Sequence, residues 1–422
     1  MRTGDLVVRN IGTLVTPVGP SPRLGAALGE VRETARAAVV AASGRLTYVG
    51  PERELPASAV PAGAESLDAG GAMVVPGFVD PHTHVAYAGD RDHEVRQRLA
   101  GRTYREIAEA GGGIVRTVEA TRAASVEELV SLVGARLDEM LLGGTTTAEV
   151  KSGYGLETAA EVRALEAIRT AGERHPVTVV PTFLGAHEVP PEHRGDRRRY
   201  VDLLVHEMVP EVAGRGLASF CDVFCEEGVF TVAESRRILE AAYEAGLALR
   251  VHADELVWTG GAELAAELGA RSADHLVFVS AEGMSALARA RCAATLLPSA
   301  AFYLQLPRYA PARALVEAGA AVALATDANP AGGLSPSMPF AMTVACFAMG
   351  LSLEEALTAA TLNGAYSLAL EDEVGSLEAG KRADLVVLRG FRLLDLVRVG
   401  VPAVRAVVKD GRVVVRDGAR AG

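Results

Sequence analysis

Eight short apolar runs, separated by stretches of helical periodicity, most constrain how this chain can fold. Such alternation is typical of repeated βα units on a parallel sheet. The runs lie at 74–79, 145–151, 177–184, 221–225, 248–252, 272–276, 294–297 and 321–326. Helical patterns between them lie at 125–142, 158–173, 231–245, 261–268 and 311–318. The pattern predicts an α/β fold, a (β/α)8 TIM-like barrel with reactive groups at the carboxyl ends of its strands.

The two ends of the chain differ from this central part. Residues 1–70 and 374–422 are rich in Val, Gly and charged turns. An Asp-Gly pair at 410–411 lies between two Val-rich runs, which predicts a β-hairpin. We therefore predict a small discontinuous β-sandwich domain formed by residues 1–70 and 374–422, and a barrel domain over residues 71–373.

Composition narrows the class of partner. The 422 residues are 49% hydrophobic and 23% charged, enough for a large core, and the net charge is −11. Because nucleic acid and anionic lipid favour a basic surface, we expect neither as a partner and expect a small molecule. No apolar run reaches membrane-spanning length and no signal-peptide pattern opens the sequence, so we expect a cytoplasmic protein.

The four cysteines form no CxxC pair, so we expect apolar packing. Cys221 and Cys225, four residues apart, leave a thiolate metal site as the weaker alternative.

Polar side chains that can bind a metal follow several of the predicted strands. His82 and His84 follow the first strand, and alternation places them on one face about 6.6 Å apart. His252 ends the fifth strand and Asp327 the eighth. Taken singly, each has an ordinary structural alternative, a hydrogen-bonded barrel histidine or a turn-capping aspartate. Together, three imidazoles and a carboxylate predict one divalent metal such as zinc or iron, with a position open for water.

Two further groups at the same end of the barrel suit proton transfer. Glu255 follows His252 by three residues and could carry a proton from activated water to a leaving nitrogen. His275 ends the sixth strand and could bind the water or polarise the attacked carbonyl. The alternatives are an exposed charge for Glu255 and a packed core histidine for His275.

Lys151 raises the question of a second metal, because a carboxylated lysine bridges two ions in some hydrolases. It ends the second predicted strand, whereas a bridging lysine is expected at the fourth. The fourth strand is followed by Glu-Glu-Gly at 226–228 and has no lysine. We therefore predict one metal ion.

With these residues in place, the chain resembles the amidohydrolase superfamily and, within it, the imidazolonepropionase family, over nearly its whole length. The His-Thr-His motif indicates only the superfamily, whereas Lys-Ser-Gly-Tyr-Gly at 151–155 and Phe-Leu-Gly-Ala-His at 183–187 indicate the narrower family. In full, the matching segments are 81–84, 89–91, 111–114, 149–155, 182–188, 252–256, 272–275, 297–298 and 326–330.

The resemblance implies a hydrolase that opens the cyclic amide of 4-imidazolone-5-propanoate to N-formimidoyl-L-glutamate in histidine degradation. It implies one zinc or iron ion per subunit, held by the four ligands above, and a homodimer. It also implies that the substrate is contacted by Arg91, Tyr154, His187, Glu255 and Asn329. A guanidinium suits bidentate pairing with the propanoate carboxylate. Without the resemblance, Arg91 reads as a surface ion pair and Tyr154 as a packed aromatic.

One segment departs from the family pattern. After Asn329 and Pro330 the family usually has Gly and then Ser or Thr, whereas this chain has Ala331 and Gly332. The resemblance therefore supplies no hydroxyl contact there, and we expect an effect on substrate affinity or loop geometry.

Two other functions fit part of the pattern. An aminohydrolase acting on a nucleobase would use the same histidines, glutamate and aspartate, but a neutral base does not need Arg91 and Tyr154. A non-catalytic barrel that uses the fold for binding or assembly is the second alternative. The presence of all four ligands and Glu255 argues against it.

Overall fold

The strands form two sheets in the computed structural model, which describes residues 3–102, 106 and 113–421. In chain order the strands are β1 (Leu6–Pro17), β2 (Val31–Ala42), β3 (Arg45–Pro51), β4 (Glu65–Asp68), β5 (Met73–Pro76), β6 (Phe78–Asp80), β7 (Thr145–Lys151), β8 (Thr178–Ala186), β9 (Phe220–Cys225), β10 (Ala248–Ala253), β11 (Ser272–His275), β12 (Ala293–Leu296), β13 (Ala321–Leu324), β14 (Leu385–Leu388), β15 (Val404–Lys409), β16 (Arg412–Arg416) and β17 (Ala419–Arg420).

The helices pack mainly around the second of these sheets. In chain order they are α1 (Asp92–Leu99), α2 (Ile114–Ala123), α3 (Val126–Leu142), α4 (Thr158–Arg174), α5 (Arg197–Leu203), α6 (Val209–Gly214), α7 (Val232–Glu244), α8 (Gly261–Glu267), α9 (Ala281–Ala290), α10 (Pro298–Tyr303), α11 (Ala312–Glu317), α12 (Met338–Met349), α13 (Leu353–Ala359) and α14 (Leu362–Ser367). A π-helical turn at Leu204–Met208 joins α5 to α6. Short 3₁₀ turns lie at Gly25–Gly29, Glu52–Glu54, Ala57–Ala59, Pro191–His193 and Leu393–Val397.

The eight strands β6 to β13 are parallel and pair in chain order, which confirms the predicted barrel. β7 is buried at every position, as expected of a parallel strand covered on both faces. Beyond the last and first strands, Thr83 pairs with Ala328, and the Asp327 N–H donates to the His82 carbonyl over 3.1 Å. These contacts bring the two ends of the parallel sheet together at its carboxyl edge.

Several helices begin where the sequence offers a capping side chain. Ser125 accepts the Glu128 N–H at the start of α3, and Thr231 forms a reciprocal capping box with Glu234 at the start of α7. The bounds of α3, α4, α7, α8 and α11 agree with the predicted patterns to within one residue at each end.

Both ends of the chain share the other sheet, as predicted. Its order is β17-β16-β15-β14-β5-β1-β2-β3, and β4 pairs with β1. The pairings are antiparallel except those of β1 with β4 and β5. The predicted hairpin joins β15 to β16 at Asp410 and Gly411.

The prediction of one strand at 74–79 is wrong in one respect, because the chain changes sheets at Gly77. β5 pairs with β14 in the terminal sheet, and β6 begins the barrel. A Cβ at position 77 would lie 2.3 Å from Thr146 Oγ1, so the close approach at this crossing requires glycine. β5 thus lies within the predicted barrel range but joins the terminal sheet. The division of domains at residues 70 and 374 stays a prediction.

Among the described residues, no helix combines the length and apolar character needed to cross a bilayer. Gly111 and Gly112 of the glycine-rich segment lie outside the described residues.

Candidate metal and substrate site

The four predicted metal ligands converge at the carboxyl end of the barrel. The Nε2 atom of His84 lies 3.1 Å from Nε2 of His82 and 3.3 Å from Nε2 of His252. Oδ1 of Asp327 lies 3.4 Å from Nε2 of His84 and 3.6 Å from Nε2 of His82. All four side chains are buried. Residues 245 positions apart in sequence therefore face one small volume, because the barrel closes there.

Two aspartates orient two of these imidazoles. Nδ1 of His82 lies 2.6 Å from Oδ2 of Asp274, and Nδ1 of His252 lies 3.1 Å from Oδ2 of Asp222. A carboxylate beside Nδ1 favours the tautomer with the proton on that nitrogen, which leaves the Nε2 lone pair for a metal. The sequence reasoning missed both aspartates. Their only signal was a carboxylate inside a predicted buried strand, β9 or β11.

Each of these aspartates is in turn paired with a buried cation. Lys151 Nζ lies 2.8 Å from Asp222 and 2.6 Å from Glu149, and Arg250 Nη2 lies 3.1 Å from Asp274. Burial alone would raise the pKa of Asp222, but His252 and Lys151 outweigh it and hold that pKa well below its usual range. Lys151 is therefore an ion-paired residue at the end of the second barrel strand.

The donor set fits a divalent metal ion. Burial, reinforced by neighbouring cationic and imidazole groups, lowers the pKa of His82 and of His84 well below the usual value, so both rings are neutral at pH 7. Neutral nitrogens packed this closely cannot all find donors in one another. Asp327 Oδ1 is buried, and no described residue donates a hydrogen bond to it. Burial raises the pKa of Asp327 to about 7, and a cation between these atoms would favour its ionised form.

Glu255 and His275 lie beside this cluster. Nδ1 of His275 lies 3.5 Å from Oε1 of Glu255, and both side chains are buried. Burial raises the pKa of Glu255 well above its usual range, and the charges of Asp327 and Glu226 add to the effect. Burial lowers the pKa of His275 well below its usual value. A carboxyl whose pKa is shifted upward and a neutral imidazole therefore lie side by side in the pocket, next to the predicted metal position.

A pocket opens above these groups, and the predicted substrate residues line it together with apolar side chains. Arg91 lies just before α1, where its Nε and Nη2 lie 2.8 and 2.5 Å from Oε2 of Glu94. Glu94 also accepts the Gly113 N–H over 2.8 Å. The sequence reasoning missed Glu94, which looks like an ordinary helix charge. The lining residues are His84, Arg91, Ile114, Tyr154, His187, Phe224, His252, Glu255, Leu256, His275, Leu304, Leu306, Asp327, Asn329, Ala331 and Gly332.

His187 and Tyr154 form one aromatic wall of the pocket. The His187 ring stacks on His84 with centroids 4.9 Å apart, and the Tyr154 ring lies 5.2 Å from His187. His187 Nδ1 lies 3.0 Å from the Gly153 carbonyl, a geometry that places a proton on Nδ1. Burial, and then His252, lowers the pKa of His187 to about 3. His187 therefore offers a neutral ring with its Nε2 as acceptor.

Asn329 lines the pocket while its amide holds the following loop. Its Nδ2 donates to the Asp327 carbonyl over 2.8 Å, and its Oδ1 accepts the N–H groups of Ala331 and Gly332. A Cβ at Gly333 would lie 1.7 Å from the Asp327 carbonyl oxygen, so the loop requires glycine there. The segment that departs from the family pattern thus forms a tight turn beside the predicted metal position. A substrate contact from Asn329 stays a prediction.

Comparisons with known proteins agree with this geometry. The family model described as "Amidohydrolase family" matches residues 88–415. An imidazolonepropionase of Symbiobacterium thermophilum is 52% identical over 99% of both chains, and one of Geobacillus kaustophilus is 47% identical over 98% of both. A zinc-bound adenosine deaminase of Xanthomonas campestris has a similar fold, with a TM-score of 0.73, 19% identity, and coverage of 99% of this chain and 94% of that one. An Escherichia coli guanine deaminase also has a similar fold, with a TM-score of 0.72, 18% identity, and coverage of 98% of this chain and 99% of that one.

Proposed function

The chain belongs to the amidohydrolase family and, within it, to the imidazolonepropionases, and on this premise we propose the reaction and the role of each residue. The chain is a hydrolase that opens the cyclic amide of 4-imidazolone-5-propanoate to N-formimidoyl-L-glutamate, a step of histidine degradation. The observation that carries the proposal is the convergence of three imidazoles and Asp327 below a pocket lined by Arg91. The propanoate would lie at the end of the pocket lined by Arg91, and the ring carbonyl would lie at the end next to the three imidazoles and Asp327.

We propose that His82, His84, His252 and Asp327 hold one ion, either zinc or iron. The three nitrogens and one oxygen suit these borderline first-row metals better than magnesium or calcium. When bound, the ion supplies Lewis acidity and lowers the pKa of a water ligand. Asp222 and Asp274 keep two of the histidines in the binding tautomer.

Glu255 is the proposed proton carrier. Its burial and raised pKa suit a carboxyl that takes a proton from the attacking water and returns it to the ring nitrogen. His275, buried beside it, is placed to hydrogen-bond the ring oxygen as negative charge develops there. Both groups approach the pocket from strand ends, which keeps them in register with the metal ligands.

The substrate's carboxylate is the proposed partner of Arg91. Glu94 contacts this guanidinium from one side and accepts the N–H of Gly113, so it fixes the direction in which Arg91 extends. Tyr154 and His187 offer a hydroxyl and a neutral imidazole acceptor along the same wall. A substrate with a propanoate side chain uses this end of the pocket, whereas a neutral nucleobase does not.

The experiment that tests the function is ultraviolet monitoring of imidazolone propanoate consumption, together with metal analysis of the purified protein. We expect ring opening and one transition-metal ion per subunit. Release of ammonia from purines or pyrimidines, without ring opening of imidazolone propanoate, would favour the aminohydrolase alternative. A metal-replete protein inert towards every cyclic amide would favour a non-catalytic role.

We also propose a cytoplasmic homodimer, which the family resemblance implies. Light scattering on the eluting protein gives the subunit number.

A further inference from the structure

One buried carboxylate near the pocket has no part in the proposed chemistry. Glu226 follows β9, the fourth barrel strand, and its side chain is buried. Its Oε2 accepts the backbone N–H groups of Glu255 and Leu256 over 3.0 and 2.9 Å, and its Oε1 accepts that of Val257 over 3.3 Å. Three consecutive N–H groups, beginning with that of the proposed proton carrier, thus point at one side chain from another strand.

The far half of the same loop is held in a similar way. Asp254 has a left-handed backbone, with φ of 53°, and its Oδ1 accepts the N–H groups of Thr259 and Gly260 over 2.8 and 3.1 Å. A non-glycine residue keeps this conformation only where its surroundings enforce it. Asp254 fixes the turn that leads into α8, whereas Glu226 fixes the segment that begins at Glu255.

We propose that Glu226 is a positioning residue that acts through Glu255, holding the 255–257 backbone so that the Glu255 carboxyl stays beside His275 and the metal position. Glu226 does not line the pocket, and both of its oxygens already accept backbone hydrogen bonds, so it makes no direct contact with substrate. This inference rests on the proposed role of Glu255.

Glu226→Gln is the informative substitution, because it keeps the size of the side chain and replaces one acceptor oxygen with an NH2 group that would face backbone donors. A displacement of about 1 Å at a catalytic group can lower the rate about 100-fold, so we expect kcat to fall by about that factor. KM and metal content should stay near those of the unmodified enzyme, because Arg91 and the four ligands are untouched. Glu227→Gln is the matched control, since the neighbouring Glu227 is exposed and loses the same charge.

A spectroscopic readout reports the loop without any substrate. Trp258 is the single tryptophan of the chain, lies three residues after Glu255, and is 59% exposed. Its emission and anisotropy should change in Glu226→Gln and not in Glu227→Gln. If Glu226→Gln does not fold, Glu226→Asp, which keeps the charge but shortens the reach, decides the matter with the same measurements.

A double substitution completes the test. If Glu226 acts through Glu255, adding Glu226→Gln to Glu255→Gln should cause no further loss of kcat. Fully additive losses, an unchanged kcat in Glu226→Gln, or a rise in KM as large as the fall in kcat would each overturn the inference. An unmodified enzyme inert towards imidazolone propanoate would instead refute the proposed function, while the Trp258 readout would still report the loop.

Discussion

Asp222→Asn should weaken metal binding while the fold survives. Asp222 is not one of the four proposed ligands, but its Oδ2 lies 3.1 Å from Nδ1 of His252 and 2.8 Å from Nζ of Lys151. The substitution removes the charge that favours a proton on Nδ1 of His252 and strengthens the Nε2 donor. Lys151 keeps Glu149 at 2.6 Å, so the buried ammonium still has an anionic partner.

The expected loss of metal affinity depends on how much of the contact with His252 the asparagine amide retains. Loss of a hydrogen-bonding partner behind a metal ligand typically costs about 10- to 100-fold in metal affinity, or about 1.4 to 2.7 kcal/mol. The Asn carbonyl can still accept from Nδ1 of His252, so we expect a value near tenfold. Asp222→Leu removes the acceptor as well, and its loss should approach 100-fold.

Chelator competition on the apo protein measures this affinity without reference to turnover. Asp202→Asn is the matched control, because Asp202 is a partly exposed carboxylate paired with Arg237 at 2.6 Å, and neither residue lines the pocket. Circular dichroism and thermal melting separate metal loss from unfolding. A folded Asp222→Asn protein that binds the metal as tightly as the unmodified protein would refute the idea that Asp222 orients His252.

Three further predictions address the proposed chemistry. The Glu255→Gln variant should keep the metal, but its kcat should fall by about 10²- to 10⁴-fold. Near-normal turnover in this variant would refute the proton-carrier role. Arg91→Lys should raise KM by about tenfold with little change in kcat, because a point charge replaces a bidentate fork; an equal fall in kcat would contradict a ground-state grip. Because the pKa values of His82 and His84 lie well below their usual value, both rings stay neutral through about pH 6.5, and metal per subunit after dialysis should fall only in more acidic buffer. Metal release centred near pH 6.5 would contradict that shift.

The sequence could predict the barrel because each buried strand is a bounded apolar run. The 145–151 run, for example, agrees with β7 at both ends. The sheet change at Gly77 could not be predicted in the same way, since Met73–Pro76 and Phe78–Asp80 are both fully buried and, apart from Asp80, apolar. Hydrophobic periodicity reports burial, and it does not report which sheet provides the neighbouring strand.

The proposed metal ligands could be picked out in the sequence because they share one position, the end of a barrel strand. Their supporting residues lack such a shared position. Asp222 and Asp274 lie inside strands, Glu94 in a helix and Glu226 in a turn. Each acts on a group that only the tertiary structure brings near, as when Glu226 binds the N–H of Leu256 30 residues later. A carboxylate's residue type does not reveal its partner, so these roles could be found only from the contacts.

The placement of cations explains how one small site can use carboxyl groups for opposite tasks. Asp222 lies against Lys151 and His252, which hold its pKa well below the usual range despite burial, so it remains a fixed charge. Glu255 is equally buried, but its charged neighbours Asp327 and Glu226 are anions, and its pKa rises. Environments that drive the pKa values of two carboxyl groups apart in this way suit one to electrostatic support and the other to the proton transfer proposed for Glu255. Lys151 lies beside Asp222 and is not among the groups that shift the pKa of Glu255. A cation beside Glu255 would lower that pKa and so weaken the uptake of the water proton that the proposed reaction requires.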